Sequence, residues 1–248
     1  MRFQALATDY DGTIAHDGLV DNATINGLVR LKQSNRRLVL VTGRELPELR
    51  EICLDLKLFD LVVAENGAVM FDPAQGEELV LAPTPSEKLA DRLRASGVPN
   101  VSVGRSIIAL WKPHEVTALK AIRDLGLDLH IVFNKDAVMI LPSSINKFTG
   151  LNKALERLHL EPRNVVGVGD AENDQAFLLA CGFSAAVSNA IGPVKESVMW
   201  VSQEARGAGV VDLIGHILDD DLAALQKLHA DAVTQSRAAP NVTKEIEQ

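Results

Sequence analysis

Short apolar runs alternate with amphipathic stretches along most of the chain. Strand-length runs occupy residues 3–8, 38–41, 61–63, 165–168, 184–187 and 199–201, and helical patterns occupy residues 22–33, 47–56, 174–180 and 209–218. The spacing of apolar positions separates buried strands from helices that bury one face. Buried strands that alternate with helices are typical of a parallel sheet covered on both sides. The pattern therefore predicts an α/β fold with a doubly wound, mainly parallel, Rossmann-like sheet.

The middle of the chain follows a different order. It predicts two helices, 86–96 and 114–125, each followed by two strands, at 101–103 and 106–111 and then at 129–134 and 137–141. Prolines at positions 83, 85 and 142 lie near the edges of this segment, where linkers are expected. We therefore expect a core domain of residues 1–82 and 146–218, an inserted small α+β domain of residues 83–145, and a helical and flexible tail of residues 219–248.

Composition and charge narrow the classes of function. The 248 residues are 47% hydrophobic, which is ample for a packed core, and the formal net charge of −8 argues against general nucleic-acid binding. Because the apolar runs are short, neither a signal peptide nor a membrane span is predicted. Cys53 and Cys181 are predicted to be reduced core residues, with a disulfide between them as the alternative. We expect a cytoplasmic protein.

The segment that follows the first apolar run is Asp9-Tyr10-Asp11-Gly12-Thr13. Side chains two apart on a strand point to the same side, so the carboxylates of Asp9 and Asp11 are expected to emerge together. Such carboxylates repel each other unless a cation neutralises them, and oxygen ligands suit Mg²⁺. Gly12 lets the backbone approach a ligand, and Thr13 adds a hydroxyl. This cluster favours phosphate chemistry over the alternative of an Asp-Gly turn that closes a β-hairpin.

A second polar segment, Thr42-Gly43-Arg44, follows the apolar run 38–41. Ligands bind outside the carboxyl ends of strands in open α/β sheets. A hydroxyl, a flexible glycine and the free amides at the start of a helix can hold phosphate oxygens there. The alternative is that Thr42 only caps the helix that follows.

A third polar segment, residues 169–174, follows the run 165–168 and contains Asp170, Asn173 and Asp174. Asp170 and Asp174 bracket a turn that enters a helix, where they can complete a Mg²⁺ site, one of them through water. The alternative is an acidic helix N-terminus that the helix dipole favours.

Lys147 precedes a predicted helix and lies between the insert and the strand 165–168. A lone lysine is ordinarily solvated, so only its position makes it a candidate.

Together these segments resemble the four ordered motifs of the haloacid-dehalogenase-like (HAD) phosphohydrolases. The insert lies between the second and third motifs, as in members with a type II cap. Its size and doubled pattern look like the type IIB, or Cof-like, caps, including those of phosphoglycolate and sugar-phosphate phosphatases. The segment Glu65-Asn66-Gly67-Ala68 is also similar to the one that precedes the cap in that branch. The resemblance covers residues 3–218 and leaves the tail unexplained.

The resemblance implies a Mg²⁺-dependent phosphomonoester hydrolase that acts on a small phosphorylated metabolite, without nucleic-acid or membrane partners. Asp9 would be the nucleophile that forms an aspartyl phosphate, and Asp11 the proton donor and then the base. Thr42 and Lys147 would hold phosphoryl oxygens. The remaining implied residues are Gly12, Thr13, Gly43, Arg44 and Asn173 for phosphate binding and positioning, and Asp9, Asp170, Asp174 and the backbone carbonyl of Asp11 for Mg²⁺.

Three other functions remain open from the sequence. A phosphomutase of the same superfamily would use the same first aspartate. A response-regulator receiver also combines an aspartate, Mg²⁺, a hydroxyl and a lysine, but lacks the Asp-x-Asp-Gly-Thr arrangement and the insert. The third is a phosphatase-like domain of a larger protein. The insert is expected to select the substrate; its candidates, each with an ordinary packing or solvated alternative, are Arg105, Trp111, Lys112, His114, Asn134 and Lys135.

Overall fold

The computed structural model describes residues 1–53 and 55–238. Within these residues the strands are β1 (Ala5–Thr8), β2 (Arg37–Val41), β3 (Leu61–Ala64), β4 (Val69–Asp72), β5 (Glu77–Val80), β6 (Ser102–Val103), β7 (Ile108–Trp111), β8 (Leu129–Asn134), β9 (Ala137–Pro142), β10 (Val165–Gly169), β11 (Phe183–Ala186) and β12 (Trp200–Val201). The helices are α1 (Asn22–Gln33), α2 (Leu46–Ile52), α3 (Glu87–Ala95), α4 (Glu115–Asp124), α5 (Lys147–Leu158), α6 (Gln175–Ala180), α7 (Gly192–Ser197), α8 (Arg206–Asp220) and α9 (Ala223–Ala238).

Eight strands form one sheet in the order β12-β11-β10-β1-β2-β3-β4-β5. Neighbours from β12 to β3 are parallel, and the β4–β5 hairpin adds two antiparallel strands at one edge. At the centre of the sheet, Thr8 of β1 is in register with Leu40 of β2 and Val168 of β10. The carboxyl ends of β1, β2 and β10 therefore lie side by side, where ligands bind in open α/β sheets.

Helices cover both faces of this sheet. The alternation along β1 sends Leu6 to one face and Ala5 and Ala7 to the other. The Leu6 face packs against apolar residues of α1 and α8, and the opposite face packs against apolar residues of α5 and α6. The predicted doubly wound, mainly parallel α/β fold is confirmed.

A second, antiparallel sheet has the order β6-β7-β9-β8. Its core includes Ile108 and Leu110 of β7, which pack with apolar side chains of α3 and α4. The neighbouring residue Ile107 instead packs with Met139 of β9 and with Ala68, which follows β3. The second sheet is therefore attached to the first through a separate small apolar cluster. The domain boundaries at 82/83 and 145/146 fall in the segments between the two sheets and remain predictions.

Several element boundaries differ from the predicted ones. The helix expected at 47–56 ends at Ile52, because Cys53 has an extended backbone and Leu56–Leu58 form a separate 3-10 turn. Lys147 is the first residue of α5 rather than a residue before the helix, since Asn146 provides the cap. The short helix α7 was not predicted, because six residues give little periodicity.

The two cysteines are both free, so the alternative of a disulfide between them is wrong. Cys53 and Cys181 each directly follow a helix; Cys53 is buried and Cys181 is partly buried. Helix α9 occupies part of the predicted tail, and residues 239–248 lie outside the described residues. Across the described part of the chain, no helix combines the length and apolar character needed to cross a membrane.

Candidate active site

Lys147 lies between two carboxylates at the carboxyl edge of the large sheet. Its Nζ donates to Asp9 Oδ1 at 2.5 Å and to Asp174 Oδ1 at 2.6 Å. Asp9 follows β1, Lys147 begins α5, and Asp174 immediately precedes α6. All three residues are at most 3% exposed. A lysine is almost never this buried unless it is paired, so the alternative of a solvated surface lysine is wrong.

Asp170 joins Asp9 and Asp174 in a compact acidic group. Each offers an oxygen within 4.8 Å of the others. The Thr13 hydroxyl donates to Asp9 Oδ2 at 3.1 Å and also lies 3.3 Å from an Asp170 oxygen. Asp174 Oδ2 accepts the backbone N–H groups of Asp170 and Ala171 at 2.8 and 2.9 Å, which fixes the orientation of this carboxylate. The side chains are therefore held in place before any ligand arrives.

This acidic group fits a divalent cation. Burial, and then the nearby carboxylate of Asp174, raise the pKa of Asp9 to about 8, although Lys147 acts in the opposite direction. Three carboxylates next to the ammonium groups of Lys147 and Lys135 still leave an excess of negative charge, which a cation would neutralise. Oxygen ligands are those that hard divalent cations prefer. Asp9, Asp170 and Asp174 could therefore hold a metal ion.

The carboxylate of Asp11 does not belong to this group. It accepts two bonds from Arg44, from Nε at 2.6 Å and from Nη2 at 2.8 Å, and lines an open cleft. The expectation that Asp9 and Asp11 emerge together is wrong, because β1 already ends at Thr8 and the alternation of a strand does not continue. The chain turns at Gly12, which has a φ of +85°, a conformation that favours glycine. The two carboxylates therefore occupy different environments.

The segment after β3 connects the second motif, at Thr42, with the fourth motif, at Asn173. Its residue Asn66 is hydrogen-bonded to both. Thr42 is buried, and its hydroxyl accepts the backbone N–H of Arg44 at 3.1 Å. Thr42 is not the cap of α2, since that position belongs to Glu45. Asn173 Nδ2 donates to Asn66 Oδ1 at 2.8 Å, while the buried Asn173 Oδ1 has no hydrogen-bond partner within the described residues. Asn173 therefore links the fourth motif to the segment after β3.

A cleft of about 620 Å³ separates the two sheets above this site. Three of the six candidates in the insert, Trp111, Asn134 and Lys135, line it. Trp111 is 57% exposed, which overturns the alternative that it is packing. Lys135 Nζ donates to Asp170 Oδ2 at 2.6 Å, so a side chain of the insert reaches the acidic group.

The other three candidates, Arg105, Lys112 and His114, are not among the residues that line the cleft. The guanidinium of Arg105 pairs with Glu78 at 2.9 Å, and Lys112 lies over the ring of Phe133. Their ordinary interpretation as surface residues therefore holds for Arg105 and Lys112. Gly43 of the second motif also lines the cleft, and its role in phosphate binding stays a prediction.

Two residues near the site were missed in the sequence. Asn189 Nδ2 donates to the carbonyl of Gly12 at 2.8 Å, and its Oδ1 accepts the backbone N–H of Arg206, a residue that lines the cleft. Asn189 lies shortly after β11, so the rule that ligands bind at the carboxyl ends of strands could have found it. No other sequence signal marks either residue.

The chain shares extended sequence similarity with known proteins. The sequence profile of the haloacid dehalogenase-like hydrolases matches residues 6–100 and 117–214. The chain belongs to this family. This match confirms the superfamily that the four motifs predict. The prediction of a phosphatase is also confirmed.

Named relatives and solved structures of this family align with nearly the whole chain. A phosphoglycolate phosphatase of Methanosarcina acetivorans is 29% identical, with 86% of this chain and 96% of the relative covered. A phosphoglycolate phosphatase of Methanococcoides burtonii is 25% identical, with 90% of this chain and 100% of the relative covered. The structure of a HAD subclass IIB sugar phosphatase superposes with a TM-score of 0.70 at 18% identity, covering 86% of this chain and 98% of that one.

Proposed function

We propose that the protein is a Mg²⁺-dependent phosphomonoester hydrolase that acts on a small phosphorylated metabolite through an aspartyl-phosphate intermediate. The observation that carries this proposal is the buried Lys147 between Asp9 and Asp174, with Asp170 beside them. This arrangement combines a nucleophile, a cation for phosphoryl oxygens and a set of metal ligands at one edge of the sheet. Similar proteins are named phosphoglycolate phosphatase or sugar phosphatase, which supports a small phosphorylated metabolite as the substrate of this chain.

Asp9 is the nucleophile in this proposal. Its carboxylate is held by Lys147 on one oxygen and by Thr13 on the other, so its direction of attack is fixed. As the bond between Asp9 and phosphorus forms, the ester bond between phosphorus and the leaving alcohol breaks. Water then attacks the phosphorus of the acyl phosphate, which releases phosphate and restores Asp9.

Asp11 moves the proton in both steps. It lines the cleft into which the leaving alcohol departs, whereas Asp9 is buried. Asp11 first gives its proton to the alcohol oxygen and then accepts a proton from the attacking water. Arg44 holds the carboxylate at the rim of the cleft through two hydrogen bonds. Two carboxylates in different environments can therefore take different roles.

The phosphoryl group is held by Thr42, Lys147 and the backbone amides of the segments that contain Gly12, Thr13 and Gly43. Preorganised donors of this kind stabilise the charge that develops on the phosphoryl oxygens. Asp9, Asp170, Asp174 and the backbone carbonyl of Asp11 would hold Mg²⁺. When bound, the ion supplies charge neutralisation for the phosphoryl oxygens.

Release of inorganic phosphate tests this function. The purified protein is incubated with phosphorylated sugars, phosphoglycolate and nucleotides, with Mg²⁺, with EDTA or with excess Ca²⁺. We expect turnover with Mg²⁺, loss with EDTA, and inhibition by Ca²⁺, whose larger coordination shell would engage both oxygens of Asp9. Full activity after exhaustive EDTA treatment would rule out the metal mechanism. Turnover that needs a bisphosphate activator and transfers phosphate within the substrate would identify the alternative, a phosphomutase.

A further inference from the structure

A buried carboxylate outside the catalytic group holds the second sheet against the first. Glu65 is fully buried, directly follows β3, and has a φ of +50°. Its Oε1 accepts the backbone N–H of Arg105 at 3.0 Å, and its Oε2 accepts that of Ser106 at 2.8 Å. A left-handed backbone is costly for a residue with a side chain and persists only where its surroundings impose it. This geometry places a buried carboxyl group, which accepts two backbone N–H groups, at the junction of the two sheets.

The anchored loop leads directly into a wall of the cleft. Residues Gly104 to Ile107 form the turn between β6 and β7, closed by a bond from the Gly104 N–H to the Ile107 carbonyl at 2.9 Å. Beyond the turn, Ala109 and Trp111 of β7 line the cleft, as does Ile107 itself. A displacement of the turn would therefore displace the side chains that face the substrate.

The same residue is also tied to the phosphate-binding segment. The backbone N–H of Glu65 donates to the carbonyl of Arg44 at 2.9 Å, and that of Asn66 donates to the carbonyl of Thr42 at 3.0 Å. The main chain of Glu65 is therefore hydrogen-bonded to the segment that contains Thr42, and its side chain is hydrogen-bonded to the turn of the second sheet. Glu65 thus connects the phosphate-binding segment with a wall of the cleft.

We propose that Glu65 is a positioning residue that fixes β7, and with it Trp111, over the phosphate-binding segment. The inference rests on the proposed function, because a cleft wall can be positioned for catalysis only if the cleft binds substrate. Glu65 touches neither the acidic group nor the cleft, so its effect is on binding of the part of the substrate distant from the phosphate.

The Glu65→Gln variant tests this role with the least change in shape. An amide can accept one of the two N–H groups, but its own NH₂ then faces the other. A buried N–H group that loses its acceptor is costly, so we expect the turn to shift and KM for the best phosphorylated metabolite to rise about tenfold. Turnover of p-nitrophenyl phosphate, which makes few contacts distant from the phosphate, should change by less than about threefold.

A readout without substrate keeps the anchor testable by itself. Hydrogen exchange of the Arg105 and Ser106 amides, followed by NMR, should be slow in the parent protein and about tenfold faster in Glu65→Gln. If the parent protein hydrolysed no phosphomonoester, the proposed function would fail, while this measurement would still decide whether Glu65 anchors the turn. Equal exchange rates in both proteins would overturn the anchor.

Two further variants separate the anchor from general effects of charge. Glu78→Gln is the matched control, because Glu78 also reaches Arg105 across the two sheets at 2.9 Å, but through the half-exposed guanidinium and not through the backbone of the turn; Glu78 also pairs with Arg50 at 2.8 Å. Ion pairs that remain in contact with solvent contribute little, so the kinetics of this variant should stay within about twofold of the parent protein. If Glu78→Gln raised KM as much as Glu65→Gln, the buried carboxylate would have no special role.

Gly104→Ala disturbs the same contact from the other side. A Cβ at position 104 would lie 2.8 Å from Glu65 Oε2, so the carboxylate or the turn must move. We expect the same rise in KM, and we expect the double variant to be no worse than the more severe single variant, because both changes break one contact. Additive effects of Gly104→Ala and Glu65→Gln would contradict a shared contact and overturn the proposal.

Discussion

At the scale of single residues, the charges of the site depend on one another. Burial alone would lower the pKa of Lys147, but the carboxylates of Asp174 and Asp9 more than offset this and raise the pKa well above its ordinary value. Lys147 therefore stays charged at neutral pH. Its ammonium in turn lowers the free-energy cost of burying Asp9 and Asp174 away from water.

Replacement of Lys147 by methionine should affect both stability and turnover. Removing one partner from a buried ion pair leaves an uncompensated charge and typically costs about 3–5 kcal/mol. We expect a loss of that size in the free energy of unfolding, measured with denaturant, together with near-complete loss of phosphatase activity. Lys153→Met is the control on the same helix, because Lys153 is exposed and, among the described residues, forms an ion pair with Glu156 alone. Equal stability of the two variants would contradict the buried triad.

At the scale of elements, helix α5 must approach the turn after β3 very closely to place Lys147. A Cβ at Gly150 would lie 2.4 Å from the Cα of Gly67, and a Cβ at Gly67 would lie 2.0 Å from the carbonyl oxygen of Asn146. Both positions therefore require glycine. The close approach brings the first turn of α5, which begins at Lys147, to the edge of the sheet.

Two glycines within helices should respond in opposite directions to replacement by alanine. Gly150→Ala should destabilise the protein by about 1–3 kcal/mol, because overpacking forces the helix away from the turn. Gly215→Ala, in α8, should stabilise it by about 0.5–1 kcal/mol, because nothing lies within 4 Å of its Cβ and alanine favours helix. Denaturant unfolding measures both. A Gly150→Ala protein as stable as the parent would show that α5 packs less closely.

The element scale also explains which site residues the sequence could predict. The sequence could predict the acidic group, because Asp9 and Asp170 directly follow buried strands and Asp174 closes the turn after Asp170. The carboxyl ends of neighbouring parallel strands lie at the same edge of the sheet, which brings these residues together. The position of Asp11 was not, since the chain leaves β1 at Thr8 and Arg44 then captures the carboxylate. Asn189 was missed because its partner is the backbone of Gly12, so that only its position shortly after β11 could have indicated it.

At the scale of the whole molecule, the cleft is lined by residues of both sheets and of the loops that follow their strands. The order of elements in the insert was predictable from periodicity, and its helices and strands lie close to the expected positions. The side chains that face the cleft were not predictable, because the face that β7 and β9 turn toward the first sheet depends on contacts such as that of Ile107 with Ala68. Thus Trp111 lines the cleft, whereas Arg105 contacts the β4–β5 hairpin.

Trp111→Ala should weaken substrate binding without altering the chemistry. An exposed indole that lines the cleft offers a large contact surface, so we expect roughly 1 kcal/mol of lost binding, about a fivefold rise in KM for the preferred metabolite. The rate with p-nitrophenyl phosphate should be nearly unchanged. Val116→Ala is the control, because Val116 is exposed on α4 and does not line the cleft. Identical kinetics in both variants would place substrate selection elsewhere.

The central claim is that Asp9 carries the phosphoryl group during turnover. The direct measurement is a rapid acid quench of the protein with a radiolabelled phosphomonoester and Mg²⁺, followed by peptide mapping. We predict label on the peptide that contains Asp9, appearing and decaying within one turnover, and absent in Asp9→Asn, which should fold normally and lose several orders of magnitude of activity. Label on another residue, or label that persists as in a signalling receiver, or more than a few per cent of activity in Asp9→Asn, would contradict the account.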